Sequence, residues 1–153
     1  MEEFGWDRSE ELVCNLAGKM LGRPRGAPQE MRLEAINRFG DIEGFIKEWA
    51  ASPPKSETAA FAEDHLTASL VSGDLETTFD GVTAALKAGA HIHQIATTMA
   101  LLAADRMART PVNMSPGWGD LARELMLASA VRTALHYGGH EVAAKALYHA
   151  AWR

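Results

Sequence analysis

The amino-acid sequence predicts an all-α protein, a single-domain bundle or array of about eight helices with no sheet. Apolar residues recur at helical spacing through most of the chain. No segment alternates apolar and polar residues with the period of two that is typical of strands. No Asn-Gly or Asp-Gly turn lies between β-branched runs, where a hairpin would need one.

Length and composition indicate one globular domain over residues 1–153. The chain has 47% hydrophobic and 23% charged residues, which is ordinary for a folded domain. A net charge of −5, from 15 basic and 20 acidic residues, predicts no nucleic-acid partner, because such a partner needs a concentrated basic face. The single cysteine, Cys14, excludes an internal disulfide framework and any metal site built from several thiolates.

Neither the amino terminus nor the apolar runs predict export or membrane insertion. The first residues, MEEFGWDRSEE, are acidic and polar, unlike a secretory signal. The longest apolar run, LMLASAVRTAL, contains Arg132 and is too short to span a bilayer. We therefore expect a cytoplasmic protein with no membrane partner.

The first third of the chain is predicted to form three helices. One ends near Leu21, a second begins at Pro28 and ends at Gly40, and Asp41 caps a third. Adjacent prolines in SPPKS, residues 52–56, are incompatible with helix and predict a linker. This linker is a possible point of subdivision into parts 1–51 and 57–153.

The remainder is predicted to form five helices, separated by glycine, proline or capping residues. Asp74 caps the second of these, and Gly89 supplies the left-handed residue that ends it. Gly138-Gly139 separates the last two, and the irregular segment TPVNMSPGWG precedes them. The expected ranges are about 56–72, 75–88, 91–109, 119–137 and 140–153.

The histidines are the first group of candidate site residues. His136 and His140 are four residues apart, the spacing at which two imidazoles can bind one ion, although the glycine pair interrupts it. His91 and His93 are two apart, which on a helix directs them about 200° from each other. Neither HExxH nor paired Glu-x-x-His motifs occur, so zinc-protease and ferritin-type signatures are absent.

These histidines have three possible roles. They are surface or hydrogen-bonded interior groups, pH-sensing groups, or ligands of iron or another transition metal, haem included. The candidate catalytic residues are His93, His136 and His140. The candidate metal ligands are His91, His93, His136, His140 and His149.

A second candidate group surrounds the connection between the sixth and seventh helices. Arg106, Arg109 and Asn113 could bind a carboxylate or phosphate, and Trp118 could supply a flat apolar wall. Alternatively, the arginines only offset the negative end of the helix, and Trp118 packs the loop onto the core. Antiparallel pairing of these helices would separate this group from the histidines by roughly 25–30 Å. We favour the histidine end for metal or acid–base chemistry, because imidazoles titrate near neutrality and bind iron and zinc.

Several stretches resemble a known helical domain, namely SGDLETTFDGVTAALKAGA, ALLAADRMARTPVNMSPGWGDL, TALHYGG and ALYHAAW. From about His65 to Trp152, the chain resembles the helical domain that some bacterial proteins carry beside a Rieske-type iron–sulfur module. It is more distantly similar to questin-oxidase-like helical proteins. The resemblance implies a redox or oxygenase context. The chain lacks the Cys-x-His and Cys-x-x-His pair of a Rieske cluster, and it has no histidine in the connection after Arg109, where the relatives often carry one.

Three functions remain open from the sequence. The protein could be a metal-dependent oxidase or oxygenase-like enzyme of a redox or tailoring pathway, or a subunit of one. It could instead be a non-catalytic helical scaffold or dimerisation module, or a small-molecule binder. Because the apolar last helix ends on Tyr148 and Trp152, we also expect a homo-oligomer or a partner protein. The sequence identifies no substrate or reaction.

Overall fold

A computed structural model of the protein describes residues 29–56, 59–72, 74–111 and 117–152. These ranges contain five helices and no strand, so the predicted all-α class is confirmed for them. The helices are α1 (Gln29–Ala51), α2 (Glu63–Ser72), α3 (Leu75–Lys87), α4 (Ile92–Arg109) and α5 (Gly117–Ala151). No helix in the described part of the chain is long and apolar enough to cross a membrane.

The chain divides into two compact units, Met1–Asn37 and Arg38–Arg153, and the SPPKS linker lies within the second. The first predicted helix, which ends near Leu21, lies outside the described residues. With five helices described, the predicted count of about eight is not confirmed.

Two predicted helix boundaries are wrong. Helix α1 continues through Gly40, which joins the second and third predicted helices into one. Glycine inside a helix costs about 1 kcal/mol relative to alanine. Burial of Ile42, Ile46 and Trp49 along one face of α1 outweighs that cost. Helix α2 begins at Glu63, several residues after the predicted start at Ser56-Glu57.

Three predicted local signals are confirmed. The Asp74 carboxylate caps α3 by accepting a hydrogen bond from the Thr77 backbone N–H at 2.7 Å. Gly89 ends that helix with a φ of +89°. Gly139, with φ 78° and ψ −177°, breaks α5 into an N-terminal arm, residues 117–138, and a C-terminal arm, residues 140–151.

Helices α4 and α5 form the centre of the second unit. Arg106 near the end of α4 pairs with Glu124, while His91 at its start lies beside His140, so the predicted antiparallel arrangement is confirmed. The fully buried core spans α1 to α5. Its largest side chains are Ile46, Leu66, Phe79, Val82, Leu86, Ile92, Ile95, Val131, Leu147 and Tyr148.

The apolar end of the C-terminal arm packs against the chain's own core. The Tyr148 ring lies edge-on to Phe79 at 5.2 Å, and its hydroxyl group is hydrogen-bonded to Thr83 Oγ1 at 2.7 Å. Burial raises the pKa of Tyr148 to about 12. Of the two residues that suggested self-association, Tyr148 is therefore covered from within the chain, and Trp152 is half-buried against the same core. Self-association stays a prediction, but this face no longer supports it.

Candidate functional site

Four histidines line one open cleft of about 730 Å³, which we call the histidine cleft. His91 and His93 lie at the start of α4, and His136 and His140 lie on either side of the Gly139 break in α5. The first residues of the linker form another wall, with Ser52, Pro53, Pro54 and Lys55. The structure thus brings the two predicted histidine pairs together.

His91 is 6% exposed and caps the N-terminus of α4. Its Nδ1 accepts a hydrogen bond from the His93 backbone N–H at 3.2 Å. In the neutral ring, this bond leaves the proton on Nε2, which makes that nitrogen a donor. The His91 ring lies 5.1 Å from the His93 ring and 6.3 Å from the His140 ring, measured between centroids. His91 could therefore bind a metal ion only after losing the hydrogen bond that caps α4.

Gln94 connects the His91 cap to the segment that follows the linker. Its Oε1 accepts from the His91 backbone N–H at 2.8 Å, and its Nε2 donates to the Ala59 carbonyl oxygen at 2.7 Å. The Gln94 side chain thus holds both the start of α4 and Ala59, three residues after the linker. Sequence reasoning missed Gln94, although its position three residues after His91 is the spacing of a capping box.

Substitution of Gln94 tests this connection. Gln94→Glu keeps an acceptor for the His91 N–H but removes the donor to the Ala59 carbonyl. We expect a loss of about 1–3 kcal/mol in the free energy of unfolding. The Ala59 carbonyl oxygen loses its hydrogen-bond donor and lies beside a carboxylate instead. Urea unfolding monitored by circular dichroism measures it. Arg123→Gln, which removes only an exposed ion pair to Asp120, is the control and should cost less than about 1 kcal/mol. Equal stability of the two variants would contradict the role of Gln94.

Trp49 is a site neighbour that the sequence did not identify. It lies on the last turns of α1 and is 9% exposed, and its ring centroid is 6.1 Å from that of His140. Its Nε1 is buried and has no hydrogen-bond acceptor among the described residues. The available signal was its position three residues before SPPKS, which places it beside the wall of the cleft.

His149, the fifth candidate metal ligand, is not among the residues that line the cleft. Its ring stacks on Phe39 at 4.1 Å, although the residue as a whole is exposed. Among the described residues, no three His, Cys, Asp or Glu side chains are grouped as ligands of one metal ion. The five candidate ligands thus lie in two places, with four of them at the cleft.

Partial burial lowers the pKa of His149, which predicts a pH effect on stability. The folded state binds fewer protons than the unfolded chain, whose histidines titrate near pH 6.5. Stability present above that pH is therefore lost as the pH falls toward the lower folded value. We expect wild-type protein to lose more stability than His149→Gln between pH 7.5 and 5.5 in urea unfolding. The effect is small because the ring is partly exposed, and identical pH profiles would refute it.

The second candidate group is only partly described. Arg106 pairs with Glu124 at 3.3 Å, and Arg109 pairs with Asp105 at 2.9 Å. Burial raises the pKa of Glu124, and the Arg106 charge opposes that shift. Asn113 lies outside the described residues, as does the side chain of Trp118. Because both guanidinium groups already have carboxylate partners, an anion at this end would compete with them.

The geometry defines an all-α protein with an open, histidine-lined cleft between a proline-rich linker and two antiparallel helices. In comparisons of the chain with known proteins, no family model, no curated protein and no solved structure matches it. The resemblance to Rieske-associated and questin-oxidase-like helical domains therefore stays a prediction. The function is therefore inferred from the cleft.

Proposed function

We propose that the protein binds a small organic anion in the histidine cleft. The observation that carries this proposal is the composition of the lining. Four histidines and Lys55 line the cleft, and none of the described residues that line it is Asp or Glu. In a chain with a net charge of −5, this absence of carboxylates concentrates donors and positive charge at one place.

The donors suit a carboxylate or another oxyanion. His91 carries its proton on Nε2 as long as its Nδ1 accepts from the His93 backbone N–H. Lys55 and protonated imidazoles form charge-assisted hydrogen bonds, which are shorter and stronger than neutral ones. If the bound anion reacts, His93, His136 and His140 are the residues that could exchange protons with it.

A metal-dependent enzyme of a redox or tailoring pathway, or a subunit of one, is the second candidate. It is supported by the position of His93, His136 and His140 along one cleft, since neutral imidazoles are common ligands of iron and other transition metals. The hydrogen bond at His91 Nδ1 argues against His91 as a further ligand. A protein that binds neither anions nor metals here would be a helical scaffold or dimerisation module.

Titration with succinate at pH 6.5, followed by the histidine ring resonances in NMR spectra, tests the proposal. We expect saturable binding that shifts the cleft histidines and weakens about tenfold in His140→Gln, as loss of one charge-assisted hydrogen bond implies. His65→Gln is the matched control, because His65 is exposed on α2 and does not line the cleft. The proposal is wrong if succinate shifts no cleft histidine, or if the two variants bind it equally.

A further inference from the structure

A second cleft adjoins the histidine cleft and has a different character. It encloses about 490 Å³, and we call it the aromatic cleft. Phe45 and Trp49, one turn apart on α1, line it together with Leu86 of α3. Trp49 and Leu86 are buried, and Phe45 is half-buried against the core. Such a surface fits a flat apolar group.

The two clefts adjoin along the start of the linker. Ser52 and Pro54 line both of them. Trp49 lines the aromatic cleft, and its ring is also 6.1 Å from that of His140, which lines the histidine cleft. One ligand of modest size could therefore contact both clefts.

The indole N–H of Trp49 belongs to a residue that lines the aromatic cleft. This donor is buried and has no acceptor among the described residues. An unsatisfied buried donor costs about 1–3 kcal/mol, and native structures contain few of them. A ligand oxygen could accept this hydrogen bond only after the indole ring shifts toward a cleft, because the nitrogen has almost no accessible surface.

Charge in the aromatic cleft is balanced. Glu48 and Lys87 lie at its margin with opposite signs, and the Lys87 Nζ is 5.4 Å from the centre of the Phe45 ring. The preference for an anion must therefore come from the histidine cleft.

We infer that the ligand is an arylalkyl carboxylate, with its carboxylate in the histidine cleft and its ring in the aromatic cleft. This inference rests on the proposed function and specifies its ligand class.

Paired probes separate the two clefts. Acetate reports on the histidine cleft alone, whereas 2-naphthylacetate adds a ring for the aromatic cleft. We expect 2-naphthylacetate to bind at least 100-fold more tightly than acetate in NMR titrations. The neutral analogue 2-(2-naphthyl)ethanol should bind at least tenfold more weakly than 2-naphthylacetate. Equal affinity of acetate and 2-naphthylacetate would overturn the inference and leave the proposed function intact, whereas acetate that shifts no cleft histidine would count against the proposed function itself.

Substitution of Phe45 by alanine tests whether the aromatic ring of the ligand binds in the aromatic cleft. It should weaken 2-naphthylacetate at least tenfold and leave acetate unchanged. Phe39→Ala, a half-buried phenylalanine of the same helix that does not line the aromatic cleft, should change neither. In wild-type protein, nuclear Overhauser effects from naphthyl protons to the Phe45 and Trp49 rings test the same contact without any substitution. Effects to other aromatic rings only would overturn the assignment even if Phe45→Ala does not fold.

Discussion

Gly139→Ala is expected to lower the free energy of unfolding by about 1–3 kcal/mol, because only glycine readily adopts the backbone conformation at this position. Its φ of 78° with ψ of −177° lies in a region that residues with a Cβ avoid. A Cβ added there would meet nothing within 4 Å, so the cost is conformational rather than a steric clash. Urea unfolding measures the change.

The same substitution should reduce succinate binding at least tenfold. Alanine favours continuation of the helix, which would turn the C-terminal arm and move His140 relative to His136 and His91. Gly44→Ala is the matched control, since Gly44 lies inside α1 with open space around its Cα and no positive φ. That variant should gain about 0.5–1 kcal/mol and bind normally. A Gly139→Ala protein with wild-type stability and affinity would contradict the role of the break.

The direction in which ligand affinity changes with pH should distinguish anion binding from metal binding in the histidine cleft. Histidine is the side chain whose charge ordinarily changes between about pH 5 and 8. If the cleft binds anions through its histidines, succinate affinity should rise at least tenfold from pH 8 to pH 6, because an imidazolium group binds an anion more strongly than a neutral imidazole does. If the cleft binds a metal, Zn²⁺ affinity should fall over the same range, because protons compete for the imidazole nitrogens.

Calorimetric titrations at constant ionic strength measure both dependences. The double variant His136→Gln/His140→Gln should reduce the pH dependence of affinity for the ligand that the cleft binds. His65→Gln should leave that dependence unchanged. Succinate affinity that is independent of pH would exclude the imidazoles as its partners. Zn²⁺ binding that survives the double variant would exclude these two residues as its ligands.

Local signals allowed several features to be predicted from the sequence. Asp74 caps the start of α3, and Gly89 ends the helix with a positive φ, so both depend only on residues close to them in sequence. The break at Gly139 is likewise a property of the glycine pair. Helical periodicity predicted the fold class. Antiparallel pairing of α4 with α5 was expected to bring His91 and His93 to the end where His136 and His140 lie, because each pair is about equally far from the connection in sequence.

Tertiary contacts decided the features that the sequence did not determine. Gly40 looked like a helix end, but burial of the Ile42, Ile46 and Trp49 face keeps α1 continuous. His149 looked like a member of the histidine group, but it stacks on Phe39 and is not among the residues that line the cleft.

The linker gained its role in the cleft only through distant partners. Residues 52–55 line the histidine cleft, and Gln94 donates a hydrogen bond to Ala59, which lies three residues after the linker and 35 positions from Gln94 in the chain. Caps and turns depend on neighbours in sequence, so the sequence by itself determined them. Whether Trp49 and the linker meet the four histidines depends on how the apolar faces of separate helices pack, and only the tertiary structure decided that.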